Sequence, residues 1–85
     1  MSKKLIKVTI MSPSSSTEVQ AEWLDVNTKS GNFVILPGHI PLITTLAIKK
    51  NLVIGLENGT QKIINVNDGI LEVTRDTATI FLTNE

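Results

Sequence analysis

The residue best suited to acid–base chemistry in this sequence is its single histidine, His39. It lies in the segment Pro37-Gly38-His39-Ile40-Pro41, where two prolines restrict the backbone. A histidine relay also needs a positioned nucleophile and a carboxylate that orients the ring. The sequence has no Gly-x-Ser-x-Gly elbow to supply that nucleophile. We therefore predict that His39 is a loop residue with local or partner contacts, and that the protein is not an enzyme.

The acidic residues and glycines show no pattern typical of a metal or cofactor site. The carboxylates are scattered, and none has the spacing of a calcium-binding loop. With no cysteine, the sequence offers no thiol nucleophile, zinc ribbon or iron–sulfur cluster. The five glycines punctuate strands and turns and do not form a phosphate-binding loop. We therefore predict no catalytic residue, no cofactor and no metal ligand.

Length and charge limit the kinds of partner. The 85 residues predict one domain over residues 1–85. A domain this small buries only about 60–65% of the surface that its unfolded chain exposes. A partner subunit could supply further burial. Eight basic and eight acidic residues give zero net charge, which argues against a free nucleic-acid binder. No run approaches the roughly 18 apolar residues of a transmembrane helix, so membrane association is expected only through other proteins.

Short apolar runs separated by turn residues dominate the chain. The pairs Asn58-Gly59, Asp68-Gly69 and Arg75-Asp76 divide the second half into strands with alternating apolar side chains. Several short strands at this spacing are typical of a β-sandwich or a barrel. The predicted fold class is all-β, and two packed sheets around one apolar core would satisfy the pattern.

Residues 17–28 have two interpretations. Val19, Trp23 and Val26 recur at the spacing of a helix. Val19, Ala21 and Trp23 also alternate on one face of a strand. The composition of the rest of the chain favours the strand.

The segment between Pro37 and Pro41 also has two interpretations, which the residues alone leave open. Two prolines preset the shape of the loop, which suits a surface held ready for a partner. The same residues would serve equally in a purely structural turn.

Residues 30–46, with Pro37-Gly38-His39-Ile40-Pro41-Leu42 at their centre, closely resemble the hallmark loop and strands of ATP synthase ε subunits. Residues 67–73 resemble the Gly-hydrophobic-hydrophobic-Glu-Val segment of that family, and residues 8–13 resemble its first strand with a Ser-Pro end. The order and spacing of these segments also agree with the family, over residues 5–83.

The resemblance implies a small β-sandwich of about ten short, mostly antiparallel strands. It further implies a non-catalytic rotor subunit in the central stalk of a proton- or sodium-translocating F-type ATP synthase, which bridges the γ subunit and the membrane c-ring and supports rotational coupling. Such a subunit is peripheral to the membrane, on the cytoplasmic face in bacteria and the matrix or stromal face in organelles. The alternative is a free-standing β-sandwich module that binds a protein or a glycan. Such modules usually present an aromatic platform, and the few aromatic residues of this chain, Trp23, Phe33 and Phe81, count against it.

Site residues follow from the resemblance, position by position. The positions that correspond to the c-ring interface are Ser30, Gly31, Asn32 and His39. The positions that correspond to the γ interface are Ser12, His39, Pro41, Leu42, Ile43 and Thr44. The family often has a Glu at the position of Asn32, so the resemblance implies that a charged contact to the ring is lost.

Many ε subunits continue into an α-helical hairpin that can inhibit ATP hydrolysis and, in some bacteria, binds ATP. This chain ends without residues that could build such a hairpin. We therefore expect neither inhibition by helix extension nor nucleotide binding from this chain.

Overall fold

The computed structural model describes residues 4–83, and all regular structure in that range is β-strand. The all-β fold class predicted from the sequence is confirmed. Residues 4–83 form eight strands rather than about ten, partly because β2 runs unbroken through 14 residues. No helix in that range is long and apolar enough to cross a membrane. The strands are β1 (Ile6–Ser12), β2 (Ser15–Thr28), β3 (Gly31–Ile35), β4 (His39–Thr45), β5 (Lys50–Leu56), β6 (Gln61–Val66), β7 (Gly69–Arg75) and β8 (Thr77–Leu82).

Residues 17–28 belong to strand β2, so the helical interpretation is wrong. Pairing with β1, β3 and β5 satisfies the backbone of this segment and overrides its helical periodicity. A bulge between Ala21 and Trp23 sets two residue steps of β2 against one step of β5. The extra residue shifts the alternation, so Ala21 and Leu24 are both buried and Trp23 takes the opposite face. The expectation that Trp23 shares a face with Val19 and Ala21 is therefore wrong.

The strands follow one hydrogen-bonded path, in the order β4-β7-β8-β1-β2-β5-β6, and β3 pairs with the C-terminal part of β2. Along this path, β1 and β8 are parallel and the other described pairs are antiparallel. Ile54 of β5, Val73 of β7 and Ile80 of β8 are distant on the path but lie in one buried cluster. The sheet must therefore fold over on itself, with its two halves enclosing the core as a sandwich. An isolated bridge between Thr28 and Leu46 joins the halves at one end.

The two ends of the sandwich carry different loops. At one end, which we call the Thr28 end, the Lys29 amide donates to the Thr45 carbonyl at 3.4 Å, next to the Thr28 bridge. At the other end, which we call the Gly38 end, the Gly38 amide donates to the Arg75 carbonyl at 3.0 Å. Strand β4 runs from the Gly38 end to the Thr28 end, so it connects the regions where partner contacts were expected.

Candidate partner interface

The turn formed by Ser30 and Gly31 lies at the Thr28 end, between β2 and β3. The Thr28 hydroxyl accepts a hydrogen bond from the Ser30 amide at 3.1 Å and donates one to the Gly31 carbonyl at 2.9 Å. Gly31 has φ +132°, a conformation that side-chain-bearing residues rarely adopt. Asn32 is the second residue of β3 and lies next to this turn, so the structure brings together three of the residues expected at a c-ring interface.

His39 lies apart from those three residues, at the Gly38 end. It begins β4 opposite Arg75 of β7. Its ring nitrogen Nδ1 donates to the Ile40 carbonyl at 2.7 Å. The six residue steps of β4 from His39 to Thr45 span roughly 20 Å, and the Thr45 carbonyl is the group that binds Lys29. One compact contact therefore does not include both His39 and the Ser30 turn.

The residues expected at a γ interface in β4 divide between the two faces of the strand. Leu42 and Thr44 are half-buried opposite Val73 and Leu71, which are fully buried. Ile43 is directed outward and is 71% exposed. A partner would thus meet Ile43 first, and a substitution at Leu42 would disturb the core against which that side chain packs.

A shallow groove of about 330 Å³ lies where β4 passes over β7. It forms beside the register shift between His39 and Leu42, where the β4–β7 pairing is irregular. The groove is lined by Pro41, Leu42, Ile43, Glu72, Val73 and Thr74. It therefore offers a mainly apolar depression that includes three of the residues expected to contact γ.

An apolar stripe crosses the outer face of the same half of the sandwich. The register aligns Ile70 of β7 with Phe81 of β8, and Phe81 with Met11 of β1. These three side chains are 46%, 40% and 39% exposed, and they span about 10 Å across neighbouring strands. Ile43 lies diagonally beside Ile70 and extends the stripe onto β4. We use "apolar stripe" below for Met11, Ile43, Ile70 and Phe81.

Ser12 lies at the margin of the apolar stripe, because it follows Met11 at the end of β1. Its hydroxyl is hydrogen-bonded to the hydroxyl of Ser15 at 2.8 Å, across the turn to β2. Ser12 and the outward residues of β4 are therefore connected by the apolar stripe, although two strands, β7 and β8, separate them.

Sequence reasoning missed three members of the apolar stripe. Phe81 alternates with the buried Ala78 and Ile80, so its outward direction could be deduced from the pattern of β8. Ile70 likewise precedes the buried Leu71. Such outward apolar residues are a usable signal, but their alignment across strands depends on register, which the sequence alone does not fix.

The chemistry of this surface suits non-covalent binding. Among residues 4–83, no group of three or more His, Asp or Glu side chains could hold a metal ion. Beside the apolar stripe, Lys7 and Glu18 form an exposed ion pair at 3.6 Å on adjacent strands. Such an exposed pair contributes little to the stability of the fold.

The sequence profile described as ATP synthase, delta/epsilon chain, beta-sandwich domain matches residues 5–84, almost the whole chain. This chain belongs to the ATP synthase delta/epsilon family. The resemblance inferred from residues 30–46 is therefore confirmed, and the β-sandwich of that family agrees with the folded sheet described above.

Relatives of this delta/epsilon domain include two ATP synthase epsilon chains from bacteria. The chain is 37% identical over 78 residues to that of Pediococcus pentosaceus, covering 89% of this chain and 55% of the relative. It is 34% identical over 79 residues to that of Anoxybacillus flavithermus, covering 91% of this chain and 57% of the relative. The chain thus spans about half the length of these relatives.

Two solved structures share the fold of this delta/epsilon domain. One is a chain of the Euglena gracilis mitochondrial ATP synthase, seen in an assembly of OSCP, F1 and c-ring, with TM-score 0.87 and 18% identity over 95% of this chain and 52% of that chain. The other is a chain of the Tetrahymena thermophila mitochondrial ATP synthase central stalk and c-ring, with TM-score 0.74 and 15% identity over 99% of this chain and 67% of that chain. At 18% and 15% identity, the similarity to these two structures shows a shared fold and nothing more.

Proposed function

We propose that this domain is a non-catalytic subunit of an F-type ATP synthase, located in the central stalk. The observation that carries the proposal is the apolar stripe on a domain of the delta/epsilon family. Four apolar side chains aligned on an outer sheet face are exposed to water in the isolated chain, and a contiguous patch of this kind is typical of a protein–protein interface.

The proposed partner at the apolar stripe is the γ subunit. Ile43, Pro41 and Leu42 correspond to γ-facing positions in the family, and the groove beside them is mainly apolar. Ser12 and Thr44 complete the proposed γ interface at its two margins, and His39 adds a contact at the Gly38 end. Binding there would supply the burial that a domain of this size lacks alone.

The proposed partner at the Thr28 end is the c-ring, which Ser30, Gly31 and Asn32 would approach. The two solved structures that share this fold come from ATP synthase assemblies that contain a c-ring. The apolar stripe lies on an outer sheet face and adjoins the Thr28 end, because Ile70 lies opposite Thr45. One domain could therefore hold γ and the ring side by side. It would then transmit torque in a proton- or sodium-translocating enzyme, as a peripheral protein on the cytoplasmic, matrix or stromal face of the membrane.

The alternative function, a free-standing module for proteins or glycans, is less well supported. A glycan platform needs an accessible aromatic ring. The ring of Trp23 lies against the backbone of Gly55, so one of its faces is covered. Phe33 and Phe81 lie on different strands, in separate parts of the sheet path.

The proposal is tested by binding of the purified chain to a γ subunit from a bacterial relative. We expect a dissociation constant of micromolar or tighter, about −8 kcal/mol. Ile43→Asp places a charge in the apolar stripe and should weaken binding at least about tenfold, because a buried unpaired charge is costly. Isothermal titration calorimetry of the unmodified chain and the Ile43→Asp variant measures this difference.

Ile63→Asp is the matched control. Ile63 is 62% exposed on β6, at the far end of the strand path from β4. It should leave γ binding unchanged. A folded chain that does not bind γ, or one that Ile63→Asp weakens as much as Ile43→Asp does, would argue against the proposed interface.

A further inference from the structure

The side-chain amide of Asn32 is surrounded by acceptors from β2. Its Nδ2 donates to Asp25 Oδ1 at 2.6 Å, to the Val26 carbonyl at 3.1 Å and to Asn27 Oδ1 at 3.2 Å. An amide nitrogen carries two hydrogens, so three acceptors use its full donor capacity. All three acceptors belong to this chain, so neither hydrogen of Asn32 Nδ2 is left for a partner.

Strand register explains this arrangement. Asn32 lies opposite Asn27, and Asp25 lies opposite Val34 on the same pair of strands. Asn32 and Asp25 are therefore diagonal neighbours on one face, within reach of each other. Asn27 also uses its own Nδ2 to donate to the Asn51 carbonyl on β5 at 3.1 Å. That bond directs the Asn27 oxygen, and not its nitrogen, toward Asn32.

The same side chain borders the Ser30–Gly31 turn. Thr28 holds this turn from inside through its hydroxyl, and Asn32 ties the start of β3 to β2 directly after it. Two short polar side chains thus fix both sides of a turn whose Gly31 has positive φ.

We propose that Asn32 is a positioning residue, which holds the Ser30–Gly31 turn in its binding shape and whose Nδ2 hydrogens are not available to the partner. The three surrounding oxygens accept only a hydrogen-bond donor at this position. Asp25 specifically excludes an acidic residue, because a second carboxylate would meet the first without a hydrogen between them. Positions 25 and 32 therefore form a coupled pair of one carboxylate and one amide.

The coupling is tested in the full chain by exchanging the two groups. Asn32→Asp conserves size but loses the donor, and it should raise the equilibrium constant for unfolding about tenfold in urea titrations at neutral pH. The double variant Asn32→Asp with Asp25→Asn restores one donor and one carboxylate in the opposite order. It should recover the part of the loss that comes from the two facing carboxylates, although the Val26 carbonyl and Asn27 Oδ1 still lack their donor, and the exchange rates of the Ser30 and Gly31 amides should return toward those of the unmodified chain.

Asn65→Asp is the matched control, because Asn65 is exposed on β6 and has no hydrogen-bonded side chain in residues 4–83. It should leave the unfolding constant within about twofold of the original value. The coupling would be refuted if Asn32→Asp were no more destabilising than Asn65→Asp, or if Asp25→Asn gave no recovery.

The second arm rests on the proposed function and uses binding to a purified c-ring. The exchanged double variant should bind the ring within about twofold of the unmodified chain, and Asn32→Asp alone should bind more weakly. If the double variant retains normal Ser30 and Gly31 exchange but loses ring binding, the side chains themselves make the contact and the positioning role is wrong. If the unmodified chain binds no ring, the proposed function fails at this surface, and the unfolding and exchange data still decide whether Asn32 positions the turn.

Discussion

At the scale of single residues, Gly55 and Trp23 form the tightest fit described on the outer face of β5. A Cβ at position 55 would lie 2.1 Å from Cε2 and 2.3 Å from Nε1 of Trp23. These distances are far inside van der Waals contact, so the ring occupies the space that any larger residue would need. The bulge at Ala21 and Trp23 directs the ring to this place.

Gly55→Ala should therefore force the Trp23 ring off the strand. We expect a loss of about 1–3 kcal/mol in the free energy of unfolding, the usual cost of overpacking. Trp23 is the only tryptophan, so its fluorescence emission should shift to longer wavelength as the ring enters water. Combining Gly55→Ala with Trp23→Ala should remove most of the additional loss, and a strictly additive pair would contradict the steric explanation.

At the scale of elements, β4 is the strand whose exposed edge bears most on self-association in solution. It pairs with β7 on one side, and among residues 4–83 only the Thr28–Leu46 bridge continues beyond its end. An exposed edge with Ile40 and Ile43 is a template for pairing with another chain. Pro41 interrupts that edge, because it has no amide hydrogen to donate.

Pro41→Val should make the exposed edge of β4 prone to pair with a strand of another molecule. The substitution restores an amide hydrogen and adds a β-branched side chain, and both favour intermolecular strand pairing. We expect concentration-dependent self-association, measured by light scattering and analytical ultracentrifugation. Pro37→Val, in the loop before β4, is the control and should remain monomeric. A monomeric Pro41→Val variant would show that proline does not protect this edge.

Elements whose signals are local were predictable from the sequence. A turn forms at Asn58-Gly59 as expected, with the Asn58 oxygen accepting from the Thr60 amide at 3.0 Å. It is a longer loop over residues 57–60 and not the two-residue turn that Asn-Gly predicts, because only Gly59 of the pair has positive φ, at +88°. The β2 bulge was not predictable, because it depends on pairing with β5, which lies more than twenty residues away. The same limit applies to the candidate site: its residues could be named by resemblance, but the separation of His39 from the Ser30 turn depends on the folded path of β4.

At the scale of the whole molecule, the last described strand is central to the sheet. Strand β8 lies between β7 and β1, and its Ala78 and Ile80 are fully buried. Strands β4 and β7 are connected to β1 only through it on the described path. Loss of β8 would therefore divide the sheet and open its core to water.

A chain that ends at Arg75 should consequently be unfolded, with no cooperative transition in a thermal melt monitored by circular dichroism. Adding a synthetic peptide of residues 76–85 should restore folding, because the peptide can insert between β7 and β1 with the native register. A scrambled peptide of the same composition serves as the control. A cooperative melt from the shortened chain alone would mean that β8 is dispensable.

The parallel pairing of β1 with β8 also bears on how the chain is made. Strand β1 leaves the ribosome before the other described strands and can form its hairpin with β2 at once, because the two are separated by a short turn. Its other edge must wait until all the intervening strands have been synthesised. Throughout translation the nascent domain thus presents an unpaired strand edge, beside apolar side chains that are buried only in the completed fold. The period in which this edge is open to aggregation therefore lasts until β8 has been synthesised, and a chaperone at the ribosome exit would protect the domain by covering the free edge of β1.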